Sequence, residues 1–323
     1  MASALILGPL AIGSDVFAQG GSNKANQGIA QANSAANAAL CASGALKGPA
    51  CNNTSTQTNA NSGSNTAGQT AGGGGTNAAN QGISQQNSAT TSALCASGAL
   101  TGPACNNTST QTNANSGSNT AGQTAGGGGT GTGATGGKNT ANQGIGQTNT
   151  NTQTGQCVGG NINGACNNTS TQTNANSGSN TAGQTAGGGA AGGGGTNTAN
   201  QGIGQTNTNT QYAQCVGSGD INGACNNTST QTNANSGSNT AGQTAGGGTG
   251  GAGGTNTANQ GIGQTNTNQQ FAQCVSSGSL SDSCKGPNAQ CVSAKNNQVQ
   301  CDQEAFDKLI NSGKSATANL TTK

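Results

Sequence analysis

Between residues 139 and 154 the chain alternates with a period of two. Asn139, Ala141, Gln143, Ile145, Gln147, Asn149, Asn151 and Gln153 share one face. Thr140, Asn142, Gly144, Gly146, Thr148, Thr150, Thr152 and Thr154 share the other. Successive side chains of a strand point to opposite faces, so the pattern predicts β-structure. The repeated face carries amides where an ordinary strand carries aliphatics. The same alternation places Ser55, Gln57, Asn59 and Asn61 opposite Thr54, Thr56, Thr58 and Ala60. Ser62-Gly63-Ser64 then predicts a turn, after which Asn65, Ala67 and Gln69 resume the amide face. Gly144-Ile145-Gly146 reads as a further turn, giving about four short strands per unit. One aliphatic residue recurs in each unit, at Ile29, Ile83, Ile145, Ile203 and Ile262, and predicts a thin apolar column.

The alternation belongs to a repeat. A block of twenty-four residues starting at Cys51 recurs unchanged from Cys105, Cys166 and Cys225. A second motif, Asn-x-Ala-Asn-Gln-Gly-Ile-x-Gln-x-Asn, begins at Asn23, Asn77, Asn139, Asn197 and Asn256, at spacings of 54, 62, 58 and 59 residues. Most of the length variation falls in Gly-rich stretches such as Gly126 to Gly137 and Gly187 to Gly195, which read as loops on a constant frame. Identical Asn and Gln side chains stacked at the strand spacing of roughly 4.8 Å can hydrogen-bond in ladders, and small Ala and Gly let two sheets approach closely. The expected fold is therefore all-β: a β-solenoid or cross-β-like array over residues 19–273. The alternative is a largely disordered low-complexity chain.

Composition sharpens that choice. Aromatics are 1% and charged residues 4% of 323 residues, and 60 residues are Gly. From Gly48 to Gly137 the only large aliphatics are Ile83, Leu94 and Leu100. Burying each contributes about 2 kcal/mol, against about 1 kcal/mol or more for ordering every residue. A conventional hydrophobic core cannot fold this segment. Backbone ladders, stacked amides and disulfides can. The net charge of +2, the absence of Arg and the lack of a basic patch argue against a nucleic-acid partner. With no His and no converging carboxylates, neither a triad nor a metal site is read, no cofactor is expected, and the chain is not expected to be an enzyme.

Twelve cysteines fall into successive pairs: Cys41 with Cys51, Cys95 with Cys105, Cys157 with Cys166, Cys215 with Cys225, Cys274 with Cys284, and Cys291 with Cys301. An even count at regular spacing predicts disulfides in an oxidising compartment. Pairing within each couple is the simplest connectivity; bonds between neighbouring repeats or between chains are the alternatives. Each short bridge is worth ~2.5–3 kcal/mol in the chain-entropy model. Metal binding is the competing use, disfavoured by the long spacing and the absence of His.

Asn-x-Ala-x-Gln occurs twice per unit, as in Asn65-Thr66-Ala67-Gly68-Gln69 and Asn139-Thr140-Ala141-Asn142-Gln143, and Ser55, Gln57 and Gly63 lie upstream of the first. This resembles the curlin repeat of bacterial functional amyloids. The resemblance implies a β-solenoid rung with inward Asn and Gln ladders, formed here by Gln57, Asn65, Ala67 and Gln69 and their equivalents, and subunits that stack into extracellular fibres. The paired-Cys loops and Gly-rich inserts have no counterpart in that family.

The ends differ from the middle. Ala4 to Ile12 is a short apolar run, and Val16-Phe17-Ala18 fits a cleavage site before Gln19, so residues 1–18 read as a secretion signal with a truncated start. A terminal strand is the competing reading. The run is too short to span a bilayer, and no membrane span is expected after cleavage. Residues 274–323 hold nine of the fourteen charges and read as a cap, with a short helix over Asp302 to Ile310. Glycosylation sequons begin at Asn53, Asn107, Asn168 and Asn227, with a further one at Asn319. Together these features predict a secreted structural protein whose main partner is itself, in a homopolymeric fibre, biofilm matrix or cell-surface layer, with cell-surface or other matrix components as further partners. The alternative is a surface-binding module, an adhesin or an ice-binding Thr array such as Thr148-Thr150-Thr152. The long units argue against Thr on successive short rungs.

Overall fold

The computed structural model describes residues 22–126, 136–188, 193–247, 253–285 and 288–293, with the backbone alone of 2–3, 13–18 and 290–293. Each sequence unit makes one turn of a flattened parallel β-solenoid. A wide sheet forms one side, from β3 (Ser22–Ser43), β7 (Thr76–Thr101), β10 (Lys138–Asn163), β13 (Thr196–Gly217) and β17 (Thr255–Ser276). Two narrow sheets form the other side. The first stacks β1 (Ala2–Ser3), β5 (Asn53–Asn61), β8 (Asn107–Asn115), β11 (Asn168–Asn176) and β15 (Asn227–Asn235). The second stacks β2 (Gly13–Ala18), β6 (Asn65–Ala71), β9 (Asn119–Ala125), β12 (Asn180–Ala186) and β16 (Asn239–Ala245). Two-residue strands β4 (Leu46–Lys47), β14 (Ile221–Asn222) and β18 (Leu280–Ser281) extend the wide sheet beyond the cysteines, and β19 (Asn288–Ser293) pairs with the end of β17.

All pairing is parallel and in register: Asn139 sits between Asn77 and Asn197, and Gln111 between Gln57 and Gln172. Identical residues therefore stack directly, because the Gly-rich connections absorb the differences in unit length apart from one residue taken up in the Cys157–Cys166 corner. Gly72–Gly75 turns tightly, with φ of 63° at Gly73 and 80° at Gly74. The equivalent connection after β9 is far longer, yet β10 restarts in register. The Ser62-Gly63-Ser64 turn is present, and its stacked copies are close enough that a Cβ on Gly178 would collide with the Gly117 carbonyl oxygen.

One expectation is corrected. Gly144-Ile145-Gly146 is no turn; it lies inside the unbroken β10. The wide strand crosses the whole solenoid in one piece, and the corners fall at the Cys loop, the Ser-Gly-Ser bend and the Gly loop. Gly is tolerated there because its outward face needs no side chain while β10 bonds neighbours on both sides. Gly13–Ala18, read as part of a leader, runs parallel to Thr66–Ala71. The short helix over Asp302 to Ile310 and most of the cap lie outside the described residues.

Candidate functional site: the amide ladders and their disulfide rim

Gln57, Asn65, Ala67, Gln69, Asn139, Ala141, Gln143, Ile145, Gln147 and Asn149 all point into the space between the sheets and are at most 4% exposed. Along the stack, Asn23 donates to Asn77, Asn77 to Asn139, Asn139 to Asn197 and Asn197 to Asn256, at 2.9–3.0 Å. Asn65, Asn119, Asn180 and Asn239 form a second such column at 2.9 Å. Gln columns run with the opposite sense: Gln111 donates to Gln57, Gln172 to Gln111 and Gln231 to Gln172, each at 2.9 Å. The second amide hydrogen crosses the core to a facing backbone carbonyl, as from Gln57 to Ser88 at 2.8 Å and from Asn65 to Gly82 at 2.9 Å. In the interior coils most amides thus use both donors and the acceptor, as Gln111 and Asn119 do, which is the condition for burying so many polar groups.

Ala and Ile have the roles the pattern gave them. Ala25, Ala67, Ala79, Ala121, Ala141, Ala182 and Ala199 pack together between the two sides. Ile29, Ile83, Ile145 and Ile203 form another. It lies opposite the Ser-Gly-Ser bend, since Asn65 reaches Gly82 and Gln85 reaches the Ala114 carbonyl. Ile262 ends the column and is 53% exposed.

One row joins the two sides, and the period-two reading does not reveal it. Asn59 donates to Asn87, Asn87 to Asn113, Asn113 to Asn149, Asn149 to Asn174, Asn174 to Asn207, and Asn207 to Asn233, all at 3.0–3.1 Å. Asn233 then donates to Asn266 at 3.0 Å. Sequence places each Asn on an inward face, but which residues of the narrow and wide strands meet depends on corner geometry that alternation does not encode. On the first coil, the Oδ1 atoms of Asn33, Asn59 and Asn65 are buried without a hydrogen-bond partner.

The disulfides close the Cys edge of each coil. Cys41–Cys51, Cys95–Cys105, Cys157–Cys166, Cys215–Cys225 and Cys274–Cys284 are bonded, with Cα atoms 6.0–6.3 Å apart. Their thiols are thereby unavailable to a metal. Cys291 lies in β19, and Cys301 lies outside the described residues. The bridges stack into an apolar cluster with Leu100, Ile162, Ile221 and small Ala residues, the nearest thing to a conventional core. The second cysteine of each bridge has φ between 53° and 56°, a left-handed conformation costly for a residue with a Cβ. Its N–H reaches the coil before, as from Cys166 to the Ala104 carbonyl at 3.0 Å.

The sequon reading is corrected at four positions. Asn53, Asn107, Asn168 and Asn227 are buried ladder members; Asn107 donates to Thr154 at 2.8 Å and to Asn168 at 3.0 Å. A glycan there and the folded coil exclude each other. Asn319 lies outside the described residues. The objection to a Thr array is also corrected. Because one unit is one turn, Thr148, Thr206 and Thr265 stand in register on the outer face, and so do Thr150, Thr208 and Thr267. Beside them an exposed ladder, Asn26, Asn80, Asn142, Asn200 and Asn259, is bonded at 2.7–2.9 Å. It borders an open groove of about 830 Å³ floored by Gly28, Gly82, Gly144, Gly202 and Gly261. Tyr212 and Phe271 stack at 5.0 Å on the same face. Comparison with protein-family models, curated proteins and solved structures returns no match. The chain is therefore characterised by its own geometry: a disulfide-edged parallel β-solenoid with hydrogen-bonded Asn and Gln ladders.

Proposed function

We propose that this chain is a secreted, non-catalytic structural protein that self-associates into extracellular fibres, a matrix or a cell-surface layer. The observation that carries the reading is the continuity of the amide columns. They run through every coil with the same residues in the same register, so the architecture repeats one surface and converges on no irregular pocket. The five disulfides agree with an oxidising destination. A chain with little charge to hold copies apart suits self-association. The resemblance of Asn65 to Gln69 and Asn139 to Gln143 to curlin repeats points the same way. Electron microscopy and fibre diffraction of the purified, oxidised protein test it. Expected are unbranched fibres with a meridional spacing of about 4.8 Å; particles of single-chain mass at every concentration would refute it.

The in-register Thr rows favour a second reading, a flat binding face for an ordered surface. A thermal-hysteresis assay separates the ice-binding form of this reading from the structural one. Activity in the oxidised monomer would support ice binding; no activity with fibres present supports the structural role.

A further inference from the structure

The two sides of the solenoid are offset by half a coil. The narrow sheets begin one strand before the wide sheet, with β1 and β2, and end at β15 and β16. The wide sheet begins at β3 and its full-length strands run one further, to β17, with the short β19 on part of the last edge. At the C-terminal end, β17 is therefore faced only from the preceding side, by β15 and β16, as where Asn233 donates to Asn266 and Asn239 to the Gly261 carbonyl; no narrow strand follows among the described residues. Its side chains from Thr255 to Gln269 are exposed on both faces, although in β10 and β13 every inward equivalent is buried. At the N-terminal end, the inward residues of β3 are already covered. One end is a step down and the other a step up.

The steps also match in sequence. Tracing the register through the four intervening pairings sets Thr255 to Gln264 of β17 equivalent to Ser22 to Gln31 of β3. Ala258, Asn259, Gln260, Gly261, Ile262 and Gln264 meet identical residues there. Donors and acceptors match as well. Interior Asn side chains of the stacked columns donate toward the following coil. Asn266 accepts from Asn207 and Asn233 but donates to nothing among the described residues. Its equivalent at the other end is Asn33, whose buried Oδ1 has no partner. In the interior, that acceptor is filled by the preceding Asn, as Asn149 is by Asn87 at 3.1 Å.

Resting on the self-association reading, we infer that the partner is a second copy of this chain and that the junction is a shared coil. The wide strand β17 of one copy pairs in parallel with β3 of the next. The narrow strands β1 and β2 of that next copy, kept in the assembling chain rather than removed as a leader, stack on β15 and β16 beside the bare inner face of β17. Asn266 then donates to Asn33 of the incoming copy, and Ile262 continues onto Ile29. β19 occupies part of the same edge, along Phe271–Ser276. The incoming β3 has a counterpart for each of those positions and takes its place, so β19 delays growth until a copy arrives. The interface is heterologous and does not close, which gives an open filament.

The test uses the full oxidised chain. Ile262→Lys leaves a charge that reaches water in the free chain, because the site is half open, but is sealed in by a junction without a counter-ion. Circular dichroism should match wild type, while sedimentation should show single chains. Doped into wild type at about one copy in ten, it should cap growing ends and shorten fibres to about ten copies. Thr265→Lys, the same charge on the outward face of the same strand, should assemble normally. If Ile262→Lys does not fold, Asn266→Asp decides: it sets an acceptor against the Asn33 acceptor and should also block assembly. Normal fibres from both Ile262→Lys and Asn266→Asp would overturn the shared coil and leave the fibre reading standing. A wild type that never assembles overturns both.

Discussion

A primary amide buried between two sheets must place two donors and an acceptor, and Gln147 shows how the repeat does so. Its NH2 group donates to Gln85 at 2.9 Å and across the core to the Ala175 carbonyl at 2.9 Å, while its Oε1 accepts from Gln205 at 2.8 Å. Each partner comes from a different place: the coil before, the facing sheet, the coil after. Removing one amide therefore strands polar atoms on three sides. Gln147→Ala should cost about 2–4 kcal/mol, the penalty of leaving buried groups unpaired. Thr148→Ala, one residue along but facing outward, should stay within about 0.5 kcal/mol. Urea titration of both variants checks this; equal midpoints would mean that the ladder contributes nothing. The inward set from Asn139 to Asn149 was legible because period two is strict and each amide repeats at unit spacing. The staircase through Asn113, Asn149 and Asn174 was not. It depends on which narrow-strand residue faces which wide-strand residue, and that is set by the Ser-Gly-Ser bend and the Cys corner.

At the scale of the element, the Cys corner must turn the wide strand into the first narrow strand within ten residues or fewer. The turn ends on a cysteine in a left-handed conformation, held by the bridge and by an N–H bond to the preceding coil. The bridge thus offsets a backbone conformation that Cys would not choose alone. Replacing Cys157 and Cys166 by Ala should cost about 3 kcal/mol from loop entropy, and more from the unsupported φ of 56° at residue 166. Pairing Cys157→Ala with Cys166→Gly should recover about 1 kcal/mol of that loss, since Gly carries no left-handed penalty. Denaturation midpoints of the two double variants decide it. If the Gly form is the weaker, the corner is not held as described. The pairing of cysteines was legible from their spacing, whereas the positive φ was not, because nothing in the block starting at Cys166 distinguishes that residue from an ordinary turn position. The Gly146 region misled for a related reason. Gly between alternating amides signals a bend in an edge strand, but in a central strand it only flattens the outer face. Register gives the complementary prediction. Cutting the connection after Ala125 to the length of Gly72–Gly75 should leave the fold intact. Inserting one Ala after Gln147 should expose Asn149, Asn151 and Gln153 and unfold the coil. Limited proteolysis reads the difference.

At the scale of the molecule, cohesion comes from hydrogen bonds and stacking with almost no charge involved. The buried polar side chains among the described residues are Asn, Gln, Ser and Thr, with no carboxylate or ammonium group among them. The chain has no His, and the one ion pair among the described residues, Lys285 with Asp282, is exposed. Folding stability changes with pH only where folded and unfolded states bind different numbers of protons. A ladder of neutral amides binds none in either state. Surface charges are few, so screening by salt has little to act on. Thermal stability should therefore be nearly flat from about pH 5 to pH 8, where only His among ordinary side chains changes charge. It should also be flat from roughly 0.05 to 1 M salt, across which the Debye length shrinks several-fold. Reducing agent should act differently, because it removes the bridges along one edge of every coil. A scan of melting temperature over pH and ionic strength, in oxidising buffer and then with a thiol reductant, tests this. A melting temperature that moves more with pH than with reduction would mean that ionisable groups, rather than amides and disulfides, hold the solenoid together.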